Sequence, residues 1–252
     1  MQLAESTWPE VEAYLQVSRA IILPIGSTEQ HGPNGLIGTD WLCPSLVAES
    51  VGERTGLLVA PALSYGIAQH HLGFPGSVAL TPSTLIRVLL DVIQSFERHG
   101  FRHVYLLNGH GGNIATVNAA FAEYYGAVSL ARDAQGSDVH CYLRNWWSGS
   151  RVQRFSAEHY GDSEGSHATP TEVSLTFHAF PARENRDRLK PEVAPRGVFR
   201  DAVDYRHSFP DGRIGSNPAL ASAEDGAKIL RCAVDDTVDH LRTVFPDDLP
   251  EG

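Results

Sequence analysis

Continuous apolar runs alternate with amphipathic stretches along this chain. Four runs, at residues 20–25 (AIILPI), 57–63 (LLVAPAL), 104–107 (VYLL) and 127–131 (AVSLA), lack the alternation of a strand with one wet face. Such runs fit strands covered on both sides, as in a mainly parallel sheet. Helices are expected between them. The clearest starts at Pro82 after Thr81, carries Leu85, Val88, Leu89, Val92 and Phe96 at three- and four-residue spacing, and stops at Gly100. Others are predicted over about 41–54, over 114–125, and after Ser222, where Asp225 completes a capping-box pattern. Strands alternating with helices give the α/β class. At 252 residues the chain is expected to form a single domain, 1–252, with a sizeable core.

Composition narrows the partners. A net charge of −10 opposes binding to phosphate backbones, so nucleic acid is not an expected partner. The densest basic segment, 183–213, interleaves its eight Lys and Arg residues with six Asp and Glu, and reads as a solvated or subunit-facing surface. Cys43, Cys141 and Cys232 form neither a C-x-x-C pair nor an even disulfide set, which fits a reducing cytoplasm. The N-terminal residues lack a basic-then-apolar leader pattern. No apolar run approaches the ~20 residues of a membrane helix, and a membrane partner is not expected.

The candidate chemistry lies in three irregular segments. In GSTEQHGPNGLIGTD, Glu29 and His31 follow the first predicted strand, just beyond the edge where open α/β sheets bind ligands. Gly26, Gly32, Gly35 and Gly38 let the chain turn back so that Asp40 can rejoin them. NGHGGN presents His110 between a strand and a helix, and HATPTE offers His167 and Glu172. Carboxylates and imidazoles without a thiolate suit one or two Zn²⁺, Mn²⁺ or Fe²⁺ ions. An aspartate can bridge two such ions ~3.5–4 Å apart, and hydrolysis is the natural use of the water they share.

Blander roles exist for the same residues. Asp40 can cap a helix beginning at Trp41, and Thr169 with Glu172 makes a good capping box. His110 can be a turn residue at a helix N-terminus, although the segment matches no nucleotide-binding fingerprint. His70 and His71, in a glycine-flanked loop, can line a pocket, and Trp146 with Trp147 can wall it for a planar substrate or divide between core and surface. The remaining histidines read as structural. No G-x-S-x-G elbow points to a serine nucleophile.

Taken together, GSTEQHGPNGLIGTD, NGHGGN, HATPTE and the loop YGIAQHHLGFPGS resemble the creatininase family of metal-dependent amidohydrolases, in order and spacing across residues 23–177. The resemblance implies a three-layer α/β/α fold and a two-ion centre at the sheet's carboxyl edge. Glu29, Asp40 and His110 would hold one ion, and His31, Asp40 and Glu172 the other, with Asp40 as the bridge. His167 would be the catalytic proton-transfer group, with His71, Trp146 and Trp147 as substrate contacts. It also implies a small-molecule amide substrate and a homo-oligomer, a hexamer in many members. Ser166, Asn34 and Gly112 depart from the pattern of true creatininases, so the reaction type is expected and the substrate left open. Two alternatives are a one-ion hydrolase in which Glu172 only caps a helix, and a metal-stabilised binding protein without turnover.

Overall fold

A computed structural model describes residues 1–131, 136–245 and 249. Among these residues, four strands, β1 (Ala20–Ile25), β2 (Leu58–Val59), β3 (His103–Asn108) and β4 (His140–Asn145), form one parallel sheet in the order β2-β1-β3-β4. β1 and β3 pair in register along their full lengths, from Ala20 opposite His103 to Ile25 opposite Asn108.

Side chains alternate between the two faces, which splits the core in two. Ala20, Ile22, Tyr105 and Leu107 pack with helices α2 (Thr39–Thr55), α5 (Ser150–His159), α6 (Pro170–Ala179) and α8 (Ala223–Val244). Ile21, Leu23, Ile25, Val104 and Leu106 face α1 (Trp8–Tyr14), α3 (Pro82–His99) and α4 (Ile114–Leu130). The result is three layers, α/β/α. A further short helix, α7 (Ala202–Ser208), packs against the loop carrying His70 and His71.

β1, β3 and α3 stand where the apolar pattern puts them. The expected strand at 57–63 is only two residues long, with Leu63 joined to Ile25 by an isolated bridge. The expected strand at 127–131 is instead the last turn of α4. Its alanines and leucine favour continuing the helix over starting a strand, and Gly126 does not stop it. The fourth strand is HCYLRN, 140–145, whose mixed residues suit a half-covered sheet edge and leave no apolar run to detect. Nor is 183–213 all surface: the Arg213 side chain is fully buried, paired with Asp211 at 2.7 Å and donating to the carbonyls of Pro191, Glu192 and Ser216.

Candidate metal centre

Both central strands deliver the chain to the same rim. After β1, residues 26–40 fold back on themselves through hydrogen bonds from Gly26 N to Leu63 O, Glu29 N to Ile37 O and Gly35 N to His31 O. Asp40 therefore returns to Glu29 and His31. It lies in the first turn of α2, after the side-chain-free N-cap Gly38, where the helix N-terminus favours a negative charge. After β3, Gly109 lets the chain pass against α2, since a Cβ there would sit 1.8 Å from the Asp40 carbonyl oxygen. His110 follows. Glu172 comes from the first turn of α6, opened by Thr169 and Pro170.

These five side chains converge in two overlapping groups. Glu29, Asp40 and His110 offer ligand atoms within 4.8 Å of one another, and so do His31, Asp40 and Glu172. Asp40 belongs to both. His31 Nε2 is 3.1 Å from Asp40 Oδ1, while His110 Nδ1 is 3.0 Å from Asp40 Oδ2 and His110 Nε2 is 3.4 Å from Glu29 Oε2. His167 Nδ1 reaches within 3.7 Å of Glu29 Oε1, and His167 with Glu29 and His31 makes a third group within the same distance.

A set of hydrogen bonds alone does not account for this geometry. Glu29 Oε1, Glu29 Oε2 and Asp40 Oδ2 are buried and accept no well-aligned hydrogen bond, although imidazole nitrogens lie beside them. Buried carboxylate oxygens left this way are costly unless a cation completes them. The donor set, oxygen and nitrogen without sulfur, fits a divalent ion of the zinc or manganese type.

Glu172 serves two ends of the same group. Its Oε1 accepts from Thr169 N at 2.6 Å, which is the capping box, while Oε2 faces His31 at 3.9 Å. The cap and the ligand are compatible roles. Two of the candidate carboxylates thus stand on helix first turns and not on irregular chain.

Burial and mutual repulsion set the charges. Desolvation raises Glu29 and Glu172 above the usual carboxylate range, with Asp40 adding to both. Burial also opposes charging of His31 and His110, but it is outweighed: Asp40 and then Glu172 push His31 up to about 10, and Glu29 with Asp40 push His110 up to about 9. Those imidazolium charges hold Asp40 well below its usual range despite its burial. Desolvation and neighbouring histidines drive His71 and His167 down.

Asp40, His110 and Glu172 of the cluster, with His167, line a cavity of about 580 Å³. His71 lines it with both ring nitrogens already engaged, Nε2 3.0 Å from Glu29 Oε1 and Nδ1 2.9 Å from Gln30 Nε2. Trp146 and Trp147 both reach the wall, with Trp146 only 2% exposed and packed into the core, and Trp147 partly open. His70, also expected to line a pocket, does so with its ring stacked on Phe199 at 4.6 Å. Two contributors went unnoticed in the sequence. Glu164 lines the cavity, accepting from Thr171 Oγ1 at 2.9 Å, and burial pushes its carboxyl up to about 7. Gln30, between two candidate ligands in sequence, touches His71 and His167. Only Gln30 carried a signal, its place inside the motif.

Comparison with known proteins gives matches over nearly the whole chain. The family model described as creatinine amidohydrolase matches residues 4–241. The chain is 30% identical to a creatinine amidohydrolase of Pseudomonas putida, with 97% of each chain covered. It is 28% identical to a 3-dehydro-scyllo-inosose hydrolase of Thermotoga maritima, over 95% of this chain and 83% of that one. It is 30% identical to a mycofactocin precursor peptide peptidase of Mycobacterium ulcerans, over 98% and 89%. Among solved structures, a creatininase variant complexed with creatine superposes with a TM-score of 0.85 at 28% identity, covering 97% of this chain and 98% of that one. A creatininase described as Mn gives 0.81 at 28% identity and the same coverage. The same variant as in the creatine complex, described as Zn-Zn type, gives a TM-score of 0.82 at 28% identity, again with 97% and 98% covered. Among the described residues no helix is long and apolar enough to cross a membrane.

Proposed function

Because this chain belongs to the creatinine amidohydrolase family of hydrolases, we propose that it is a two-ion, metal-dependent amidohydrolase that cleaves a C–N bond in a small polar molecule. The observation that carries this reading is the pair of donor groups sharing Asp40, with three buried carboxylate oxygens that accept no well-aligned hydrogen bond. Glu29, Asp40 and His110 would hold one divalent ion, and His31, Asp40 and Glu172 the second. When bound, such ions polarise a substrate carbonyl and make water a nucleophile near neutral pH.

The protein's own groups do the rest. Asp40 brings negative charge into a dry site, held ionised there by His31 and His110 against the cost of its burial. His167, near Glu29 and low in basicity, takes up a proton and passes it to the departing nitrogen. Trp147 and His70 line the cavity and limit water around a bound substrate. Small cyclic or linear amides fit the cavity volume, the size class of small-molecule sites. Three free cysteines suit a cytoplasmic setting, and oligomerisation is part of the same proposal.

The relatives act on different substrates, so the substrate test is a parallel one. The zinc- or manganese-loaded protein is assayed against creatinine, formamidopyrimidines, other cyclic amides and short peptides. Turnover of a non-peptide amide that Asp40→Ala abolishes supports the proposal. Cleavage of peptides alone overturns the bond type, and binding without product favours a metal-stabilised binding protein. A one-ion hydrolase in which Glu172 only caps α6 is separated from this reading by the number of ions bound per chain.

A further inference from the structure

Gln30 lies between Glu29 and His31 and is 6% exposed, with its side chain in contact with His71, His167, Gly32 and Gly212. Its amide orientation is fixed by two main-chain groups. Gly32 N donates to Oε1 at 2.8 Å, and Nε2 donates to Gly212 O at 2.9 Å. A flipped amide would set donor against donor and acceptor against acceptor. Gly212, at φ +86°, leaves room for it, since a Cβ there would lie 1.9 Å from Gln30 Oε1.

One amide N–H then remains, and two imidazole nitrogens lie 2.9 Å away: His71 Nδ1 and His167 Nε2. His167 Nε2 is also 2.8 Å from the main-chain oxygen of Gln30, which can only accept. His167 therefore carries its proton on Nε2 and gives it to that carbonyl. The free amide N–H of Gln30 goes to His71 Nδ1, which must be bare. The His71 proton is then on Nε2, so that a positive edge and not a lone pair meets Glu29 Oε1 at 3.0 Å. The reverse assignment would place bare nitrogens against a carbonyl and a carboxylate. It would also aim a His71 Nδ1–H at an amide that cannot accept.

We infer that Gln30 is a positioning residue that sets the tautomers of both site histidines, His71 through its side chain and His167 through its main-chain carbonyl. Two consequences follow from the proton positions. His71 has no lone pair to offer an ion and instead steadies Glu29. His167 keeps Nδ1, the nitrogen on the Glu29 side, bare and ready to receive a proton. The inference rests on the proposed hydrolase only for the use made of that Nδ1.

The test is solid-state nitrogen NMR on zinc-loaded protein with ¹⁵N-labelled histidine, the two resonance pairs being assigned with His71→Asn and His167→Asn. Both histidines should show protonated Nε2 and bare Nδ1 in the native protein. In Gln30→Met, His71 should lose its single tautomer and show both forms, while His167 stays unchanged because residue 30 keeps its carbonyl. Protonated Nδ1 on either histidine in the native protein overturns the inference, and so does a Gln30→Met protein whose His71 is unaltered. Zinc content of the same samples keeps the two readings apart. Native tautomers as assigned in a chain that holds no zinc support the inference and remove the proposed function, whereas reversed tautomers in a zinc-bearing chain remove only the inference.

Discussion

At Glu172 two jobs meet in one carboxylate, and two substitutions can separate them. Glutamine keeps an oxygen to accept from Thr169 N but loses the charge that faces His31. Glu172→Gln should melt within about 1 kcal/mol of the native protein, while its metal content falls. Glu172→Ala loses both and should cost about 1 kcal/mol or more through the open capping box. Calorimetry with elemental analysis reads the two effects, and equal metal loss without any difference in stability between the two variants would assign Glu172 to the ion alone. The motif residues were legible because chemistry-bearing side chains between glycines have few structural reasons to cluster. Glu164 was not legible, because a single glutamate in a polar stretch looks like any solvated carboxylate until its burial is known.

Helix ends position much of this site, and one of them is completed from a distance. α5 begins after Gly149, which has no side chain to cap it, and Asp236 of α8 takes over, accepting from Arg151 N at 3.0 Å, Val152 N at 3.1 Å and Arg151 Nη1 at 2.8 Å. Asp236→Ala should lower stability by about 2–3 kcal/mol, as lost caps and unsatisfied buried donors do, and leave metal content unchanged. Thermal unfolding checks the first and elemental analysis the second; a stability change below 0.5 kcal/mol, on the order of a neutral surface substitution, would deny Asp236 this role. Central strands and the long amphipathic helix were readable because burial on both faces, or a sustained period, writes itself into composition. β4 and the end of α4 were not, since an edge strand needs no apolar run and a short apolar run cannot be told from the end of a helix by its period. The capping of α5 is a contact across 85 positions, beyond any local pattern.

Across the molecule, two helical layers enclose a sheet whose rim gathers negative oxygens and protonated imidazoles in one dry place. In the metal-free protein His31 and His110 hold their protons up to about pH 10 and 9, above the ordinary 6.5. Their contribution to stability is therefore complete below about pH 6.5 and is lost as pH rises through 9 to 10. Bound divalent ions would take the place of those protons. The melting temperature of the metal-free protein should accordingly fall between pH 7 and 10, that of the loaded protein should change less, and metal binding at pH 7 should release protons to the buffer. Parallel curves for the two forms, or no proton release in calorimetry across buffers, would contradict this linkage. The most direct measurement of the central claim is the number of ions bound per chain, taken by elemental analysis after dialysis, in the native protein and in Asp40→Ala. Two ions per native chain, with both lost from the variant, is the predicted result; a single ion per native chain, or a variant that keeps its full complement, would contradict a two-ion centre bridged by Asp40.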